Sequence, residues 1–288
     1  MKRPEVKAFF DEPTNTFSYV TWDPATRTAA VIDSVLDYDA ASGRTRHDSA
    51  DAMVDFVKAQ GLTVAWVIDT HVHADHLSAS TYVQSCLGGT LGIGDHIRLV
   101  QDTFGRLFNA GSGFPRDGSQ FDHLFKHGER YRLGDIEAVA LHTPGHTSAC
   151  MTHVIGDAAF VGDTLFMPDF GTARCDFPGG DARTLYHSIQ RIFALPDETR
   201  IFLCHDYRAP GRDVFVHETT VGEERRANIH VHDGVGEDDF VRMRTARDAT
   251  LAVPKLLLPA VQVNMCAGKL PPAEDNGIRY LKIPLNAL

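Results

Sequence analysis

The spacing of apolar residues divides the chain into alternating short strands and helices. Phe17 to Trp22 and Thr28 to Asp33 alternate or run apolar on either side of Asp23-Pro24-Ala25-Thr26, which predicts an N-terminal β-hairpin. From Ser49 to Gln60 the residues Ala52, Met53, Phe56 and Val57 follow helical spacing, and the run stops before Gly61. Val64 to Asp69 is a short apolar run of the kind buried on both faces of a sheet. Leu77 to Cys86 then predicts a helix, Thr90 to Ile93 a strand and Asp95 to Phe104 a second helix. Gly105 to Gly128, with Gly111, Gly113, Pro115 and Gly118, predicts a long loop, a length that in a compact domain is usually functional or mobile.

Ile136 to His142, Met151 to Ile155 and Ala158 to Gly162 predict three further strands, the last two joined at Gly156-Asp157. A loop rich in Gly and Pro, Pro168 to Gly180, leads into a helix over Asp181 to Ala194, and Ile201 to Cys204 is again a strand. Beyond it lie helices over Glu218 to Asn228 and Glu237 to Arg247, then a tail broken by Pro254, Pro259, Pro271, Pro272 and Pro284. With no internal repeat, the expectation is one α/β catalytic domain over residues 1–217. Residues 218–288 form an extension packed on it, read as a lid or dimerisation segment.

Composition narrows the function classes. The 288 residues are 43% hydrophobic and 23% charged, as in a folded globular protein. The formal net charge of -10 repels phosphate backbones and acidic membrane surfaces, so nucleic acid and membrane are not expected partners. Met1 to Phe10 has no apolar core of a secretory signal, and cytoplasm is the expected address. Five cysteines (Cys86, Cys150, Cys175, Cys204, Cys266), never in a Cys-x-x-Cys pair, argue against disulfides or a thiolate zinc site and read as reduced thiols. The fifteen histidines are an excess that calls for an explanation.

Thr70-His71-Val72-His73-Ala74-Asp75-His76 supplies it, because it follows a buried strand directly. Side chains two apart in extended backbone point the same way, so His71 and His73 can meet one ion from one side while Asp75 and His76 face it from the next turn. The pattern recurs at three other predicted strand ends: Thr143-Pro144-Gly145-His146, Gly162-Asp163-Thr164 and Cys204-His205-Asp206. Imidazole and carboxylate suit zinc, iron or manganese. A lone His-x-His is ordinarily a surface or core pair, and His230-Val231-His232, which lacks the following Asp-His, is read that way. Joint occurrence after separate strands is what points to metal for His71, His73, Asp75, His76, His146, Asp163 and His205.

This ordered set resembles the signature of the metallo-β-lactamase superfamily, which implies an αββα sandwich with the metal at one edge of two facing sheets. Within it the chain looks like the persulfide dioxygenases. The further likeness lies in Arg174-Cys175-Asp176-Phe177, Thr184-Leu185-Tyr186-His187-Ser188, His205-Asp206-Tyr207, Glu223-Glu224-Arg225 and Asn264-Met265-Cys266.

That resemblance implies oxidation of glutathione persulfide, or a related small persulfide, by O2 and water to sulfite and thiol at one Fe(II) per chain. The iron would be held by His71, His146 and Asp163, with His73, Asp75, His76 and His205 around it. It also implies Arg174 and Arg225 as substrate-binding residues, Tyr207 over the reactive position, and a homodimer. The seven candidate ligands equally suit two Zn(II) ions in a hydrolase of the hydroxyacylglutathione hydrolase or lactonase type, with Asp163 bridging. A third alternative is a non-catalytic metal-binding or sulfide-sensing protein.

Overall fold

The N-terminal alternation forms three strands in the computed structural model, which describes residues 2–287. These are β1 (Glu5–Asp11), β2 (Thr16–Trp22) and β3 (Thr28–Ile32). There follow β4 (Val35–Asp39), β5 (Arg44–Arg46), α1 (Asp48–Ala59), β6 (Thr63–Ile68), β7 (Leu77–Ser78), α2 (Ser80–Leu87), β8 (Thr90–Gly94), α3 (Ile97–Leu107) and β9 (His123–Phe125). The second half holds β10 (Glu129–Leu133), β11 (Ile136–His142), β12 (Met151–Ile155), β13 (Ala158–Phe160), α4 (Ala182–Phe193), β14 (Arg200–Phe202), β15 (Glu218–Thr220), α5 (Val221–Ala227), α6 (Glu237–Asp248) and α7 (Leu257–Asn264).

Two six-stranded sheets result, ordered β1-β2-β3-β6-β8-β9 and β10-β11-β12-β13-β14-β15. β3, β6, β8 and β9 run parallel, as do β13 and β14, so several strands end on the same edge. Phe17, Tyr19, Ile32 and Ile68 of one sheet pack against Leu133, Ile136, Met151 and Phe160 of the other and form the inter-sheet core. The outer face of the first sheet is covered by helices that bring Met53, Val83, Val100 and Val261, and that of the second by Leu185, Ile189 and Phe240. Helices on both outer faces make four layers, α, β, β, α. Strands buried on both sides carry continuous apolar runs, which explains why β3 and β6 show little alternation.

Departures from the predicted elements have local causes. The helix expected from Glu218 starts at Val221, because Glu218–Thr220 first pairs with β14 and Thr220 then caps the helix by accepting from Glu223 N. The tail after Pro254 is not all irregular: α7 forms despite Pro259, which lies in the first turn where a missing N–H costs no helical bond. Within 105–128, α3 continues to Leu107 and β9 joins the sheet edge, while Gln101 ties the intervening turns by accepting from Gly118 N and donating to Gln120 and the Met265 carbonyl. None of residues 105–128 lines the cavity described below.

Candidate metal centre

Four strand ends supply the candidate ligands: β6 leads into His71, β11 into the turn with His146, β13 into Asp163 and β14 into His205. Two glycines permit the close approach. Gly162 has φ 52°, and a Cβ there would lie 2.6 Å from Thr70 Oγ1 and 3.4 Å from His71 Nδ1. Gly145 has φ 138°, and a Cβ would meet the α4 backbone at Leu185 within 2.4 Å.

All five histidines are buried, and each has one ring nitrogen engaged by the protein. Thr70 Oγ1 donates to Asp33 Oδ2 at 2.9 Å and so faces His71 Nδ1, 3.1 Å away, as an acceptor. His146 Nδ1 donates to the Arg174 carbonyl at 2.8 Å, His76 Nδ1 to Leu77 O at 3.1 Å and His205 Nδ1 to Asn15 O at 3.1 Å. His73 is turned the other way, with Nε2 on Asp33 Oδ1 at 3.0 Å. Partners of this kind fix the tautomer and leave the opposite nitrogen with a lone pair.

Those free nitrogens converge. His71 Nε2, His73 Nδ1 and His76 Nε2 are buried without a hydrogen-bond partner among the described residues, while His205 Nε2 faces Asp75 Oδ2 at 3.0 Å and Asp163 Oδ1 at 3.3 Å. Ligand atoms of His71, His146 and Asp163 lie within 4.8 Å of one another, and so do those of His73, His76, Cys204 and His205. Leaving three buried imidazole nitrogens unpaired would cost about 1 to 3 kcal/mol each, so the donor set fits a cation. Charge agrees with this. Burial alone disfavours imidazolium at His205, yet the carboxylates of Asp163, 3.3 Å away, and Asp75, 3.0 Å away, outweigh it and push its pKa up to about 10. Burial and His73 hold His71 well below the ordinary range, in the neutral form that binds metal.

Three groups with no role in the site assigned from the sequence hold this centre. Asp33, at the end of β3 with φ 52°, accepts from Thr70 N, Thr70 Oγ1 and His73 Nε2. Its signal was available: like Asp163, it is a carboxylate directly after a buried strand. Asp69 accepts from Ser78 Oγ and Ser80 Oγ, and burial beside Asp33 raises its pKa to about 7. Asn264 on α7 donates to the carbonyls of His73 and His76 and accepts from Ser78 N, so the extension clamps the ligand loop.

A cavity of about 310 Å³ opens above His146, Asp163 and Asp75. Phe166, Phe170 and Tyr207 form one wall, Tyr207 stacking at 5.8 Å on the His205 ring, and Phe177, Leu251 and Pro254 contribute to the rest. Tyr207 is 41% exposed overall, but partial burial of its phenol, then Asp75 and Asp163, raise its pKa well above the ordinary value and keep it protonated. The two arginines expected at the substrate fare differently. Arg174 lines the cavity, but its guanidinium is engaged by both oxygens of Asp176 and by the Ala252 carbonyl. Arg225 does not reach the cavity: it sits on α5 and pairs with Asp197 and Asp233 at the surface. The expectation for Arg225 is therefore corrected. His230 and His232 lie outside the ligand set. Among the described residues no helix is long and apolar enough to cross a membrane.

The chain is 57% identical to a probable metallo-hydrolase of Burkholderia pseudomallei, over 98% of this chain and 99% of that protein. It is 51% identical over its whole length to a beta-lactamase hydrolase-like protein of Xylella fastidiosa, of which it spans 66%. It is 31% identical to the mitochondrial persulfide dioxygenase ETHE1 of Homo sapiens, over 91% of this chain and 88% of that one. The crystal structure of ETHE1 from Myxococcus xanthus superposes with a TM-score of 0.72 at 31% identity, covering 92% of this chain and 100% of that chain. The sequence pattern described as Metallo-beta-lactamase superfamily matches residues 11–205, the segment that carries all seven candidate ligands, and the chain belongs to that superfamily.

Proposed function

We propose that this protein is a persulfide dioxygenase with one iron held by His71, His146 and Asp163. The observation that carries the reading is this compact set of two histidines and one carboxylate under an apolar cavity, the donor set of non-haem Fe(II) oxygenases. Kinship with ETHE1 over nine-tenths of the chain supports it. A ferrous ion supplies the reactivity toward O2 that side chains lack. The overall reaction, RSSH + O2 + H2O → RSH + H2SO3, removes four electrons from the two persulfide sulfurs taken together, and O2 accepts them.

The chain's own residues do the rest. Thr70 and the Arg174 carbonyl hold His71 and His146 with Nε2 presented to the ion. Phe166, Phe170 and Phe177 keep water from the sulfur, and Tyr207 offers a protonated hydroxyl at the wall. The test is an oxygen electrode with a set of low-molecular-weight persulfides, glutathione persulfide among them, followed by sulfite analysis. Oxygen uptake with sulfite is expected; cleavage of a lactoylglutathione thioester without oxygen uptake refutes the assignment.

A second reading, a binuclear zinc hydrolase, is favoured by the unpaired His73 Nδ1 and His76 Nε2, by Asp75 and His205 facing each other beside them, and by the name of the Burkholderia relative. In it Asp163 would bridge two ions. Metal analysis separates the two: one iron for the first, two zincs for the second.

A further inference from the structure

The C-terminal extension completes the cavity through Arg244 and Arg247 of α6 and Leu251, Ala252 and Pro254 beyond it. Three arginines therefore border the space above the ligands, and two are already neutralised. Arg174 is paired with Asp176. Arg244, only 1% exposed, is paired with Asp248 and donates to the Thr172 carbonyl, while Asp248 also accepts from Cys175 N. Arg247 makes no side-chain hydrogen bond or ion pair among the described residues. The remaining walls are largely apolar, and the acidic groups facing the cavity, Asp75 and Asp163, stand at its metal end.

We infer that Arg247 is the anion anchor of the active-site cavity, and that the substrate class is a small persulfide with one carboxylate at the end of an apolar stem. The inference rests on the persulfide reading for the reacting group, but not for the anchor. An unpaired guanidinium beside a desolvated apolar space is a ready partner for a carboxylate, which it can hold by two parallel N–H···O bonds. One such cation calls for one such anion. The walls offer aromatic rings and methyl groups to the stem rather than a series of peptide-like partners. At about 310 Å³ the cavity stands near the lower end of ligand pockets, roughly 300 to 1,000 Å³, which suits a short ligand.

The experiment uses the full chain in its metal-loaded form and measures binding by calorimetry, so that it reads the anchor without turnover. Probes are ω-mercaptocarboxylates from 3-mercaptopropionate to 6-mercaptohexanoate, the methyl ester of the tightest member, and glutathione. Arg247 is not a metal-holding residue and is exposed, so Arg247→Ala is expected to fold. We expect it to weaken the tightest acid about tenfold or more and to leave the ester within twofold, with Arg247→Lys recovering part of the loss. Equal binding of the acid by parent and Arg247→Ala overturns the anchor. Glutathione binding more tightly than every mercaptocarboxylate overturns the substrate class. If the anchor result holds while no persulfide consumes oxygen, the anchor stands and the dioxygenase reading falls.

Discussion

His71-Val72-His73 and His230-Val231-His232 are the same tripeptide in two settings, and the contrast shows what makes a histidine available as a ligand. In the first, Thr70 and Asp33 occupy one nitrogen of each ring, and the other, His71 Nε2 or His73 Nδ1, is buried with no protein partner. In the second, His230 Nδ1 accepts from Thr172 N at 3.0 Å, and exposed His232 faces the Asp233 carbonyl. The first pair follows β6, which runs between the parallel neighbours β3 and β8, and strand ends of the facing sheet bring further donors to it; the second follows the short helix α5. Sequence spacing is identical, so the chemistry comes from what the fold places opposite each ring.

The largest effect that tests this contrast is loss of a triad ligand. His71→Ala is expected to abolish metal retention and oxygen uptake, while His230→Ala keeps a full metal complement by elemental analysis. A His71→Ala protein that retains iron and activity breaks the contrast outright. Next comes the group behind the ring. Asp33→Asn keeps one acceptor oxygen but loses the carboxylate on which His73 and Thr70 converge, and a cost of about 10 to 100-fold in metal affinity is expected, read by competition with a chelator. Unchanged affinity would show that Asp33 does no more than close the core.

Smaller again, in the mononuclear reading, is His205→Ala. The parent should hold about one iron and the variant should still load it, with activity reduced about 10 to 100-fold. Two zincs in the parent, falling to one in His205→Ala, would move the assignment to the hydrolase.

The convergence of most candidate ligands was legible because each member follows a strand whose apolar run is visible in the sequence: Val64 to Ile68 before His71, Ala158 to Phe160 before Asp163. Asp33 obeys the same pattern after β3 and was still overlooked, since a single carboxylate at the end of a hairpin has no neighbouring histidine to draw notice. Arg225 failed for the opposite reason. Resemblance placed it at the substrate, yet charge alone cannot tell a cavity cation from one that Asp197 and Asp233 hold at the surface, because those partners are 28 and 8 residues away in the chain. α7 was hidden by Pro259, and with it the role of Asn264, named only for its likeness to the family; its three hydrogen bonds to the candidate ligand loop and β7 depend on a contact across some 190 residues.

Substitutions in the pair outside the candidate ligand groups should leave the metal content unchanged. Burial, with Arg244 and Arg247 nearby, lowers the pKa of His230 from 6.5 to about 4. Between these values the unfolded chain takes up a proton that the folded protein refuses, so acid favours unfolding. The stability contributed by keeping this ring neutral is complete above pH 6.5 and is lost progressively as pH falls toward 4. Across that window the loss is on the order of 2 to 3 kcal/mol. His230→Gln offers Thr172 N an acceptor that does not titrate. Urea unfolding at pH 7 and pH 5 should therefore show a smaller drop in stability for His230→Gln than for the parent, by about 1 to 2 kcal/mol. His232→Ala, at an exposed position, should unfold as the parent does at both pH values, within about 0.5 kcal/mol. Equal acid sensitivity in His230→Gln and the parent would mean that His230 is already protonated in the folded protein, and that the two His-Val-His pairs differ less than their surroundings indicate.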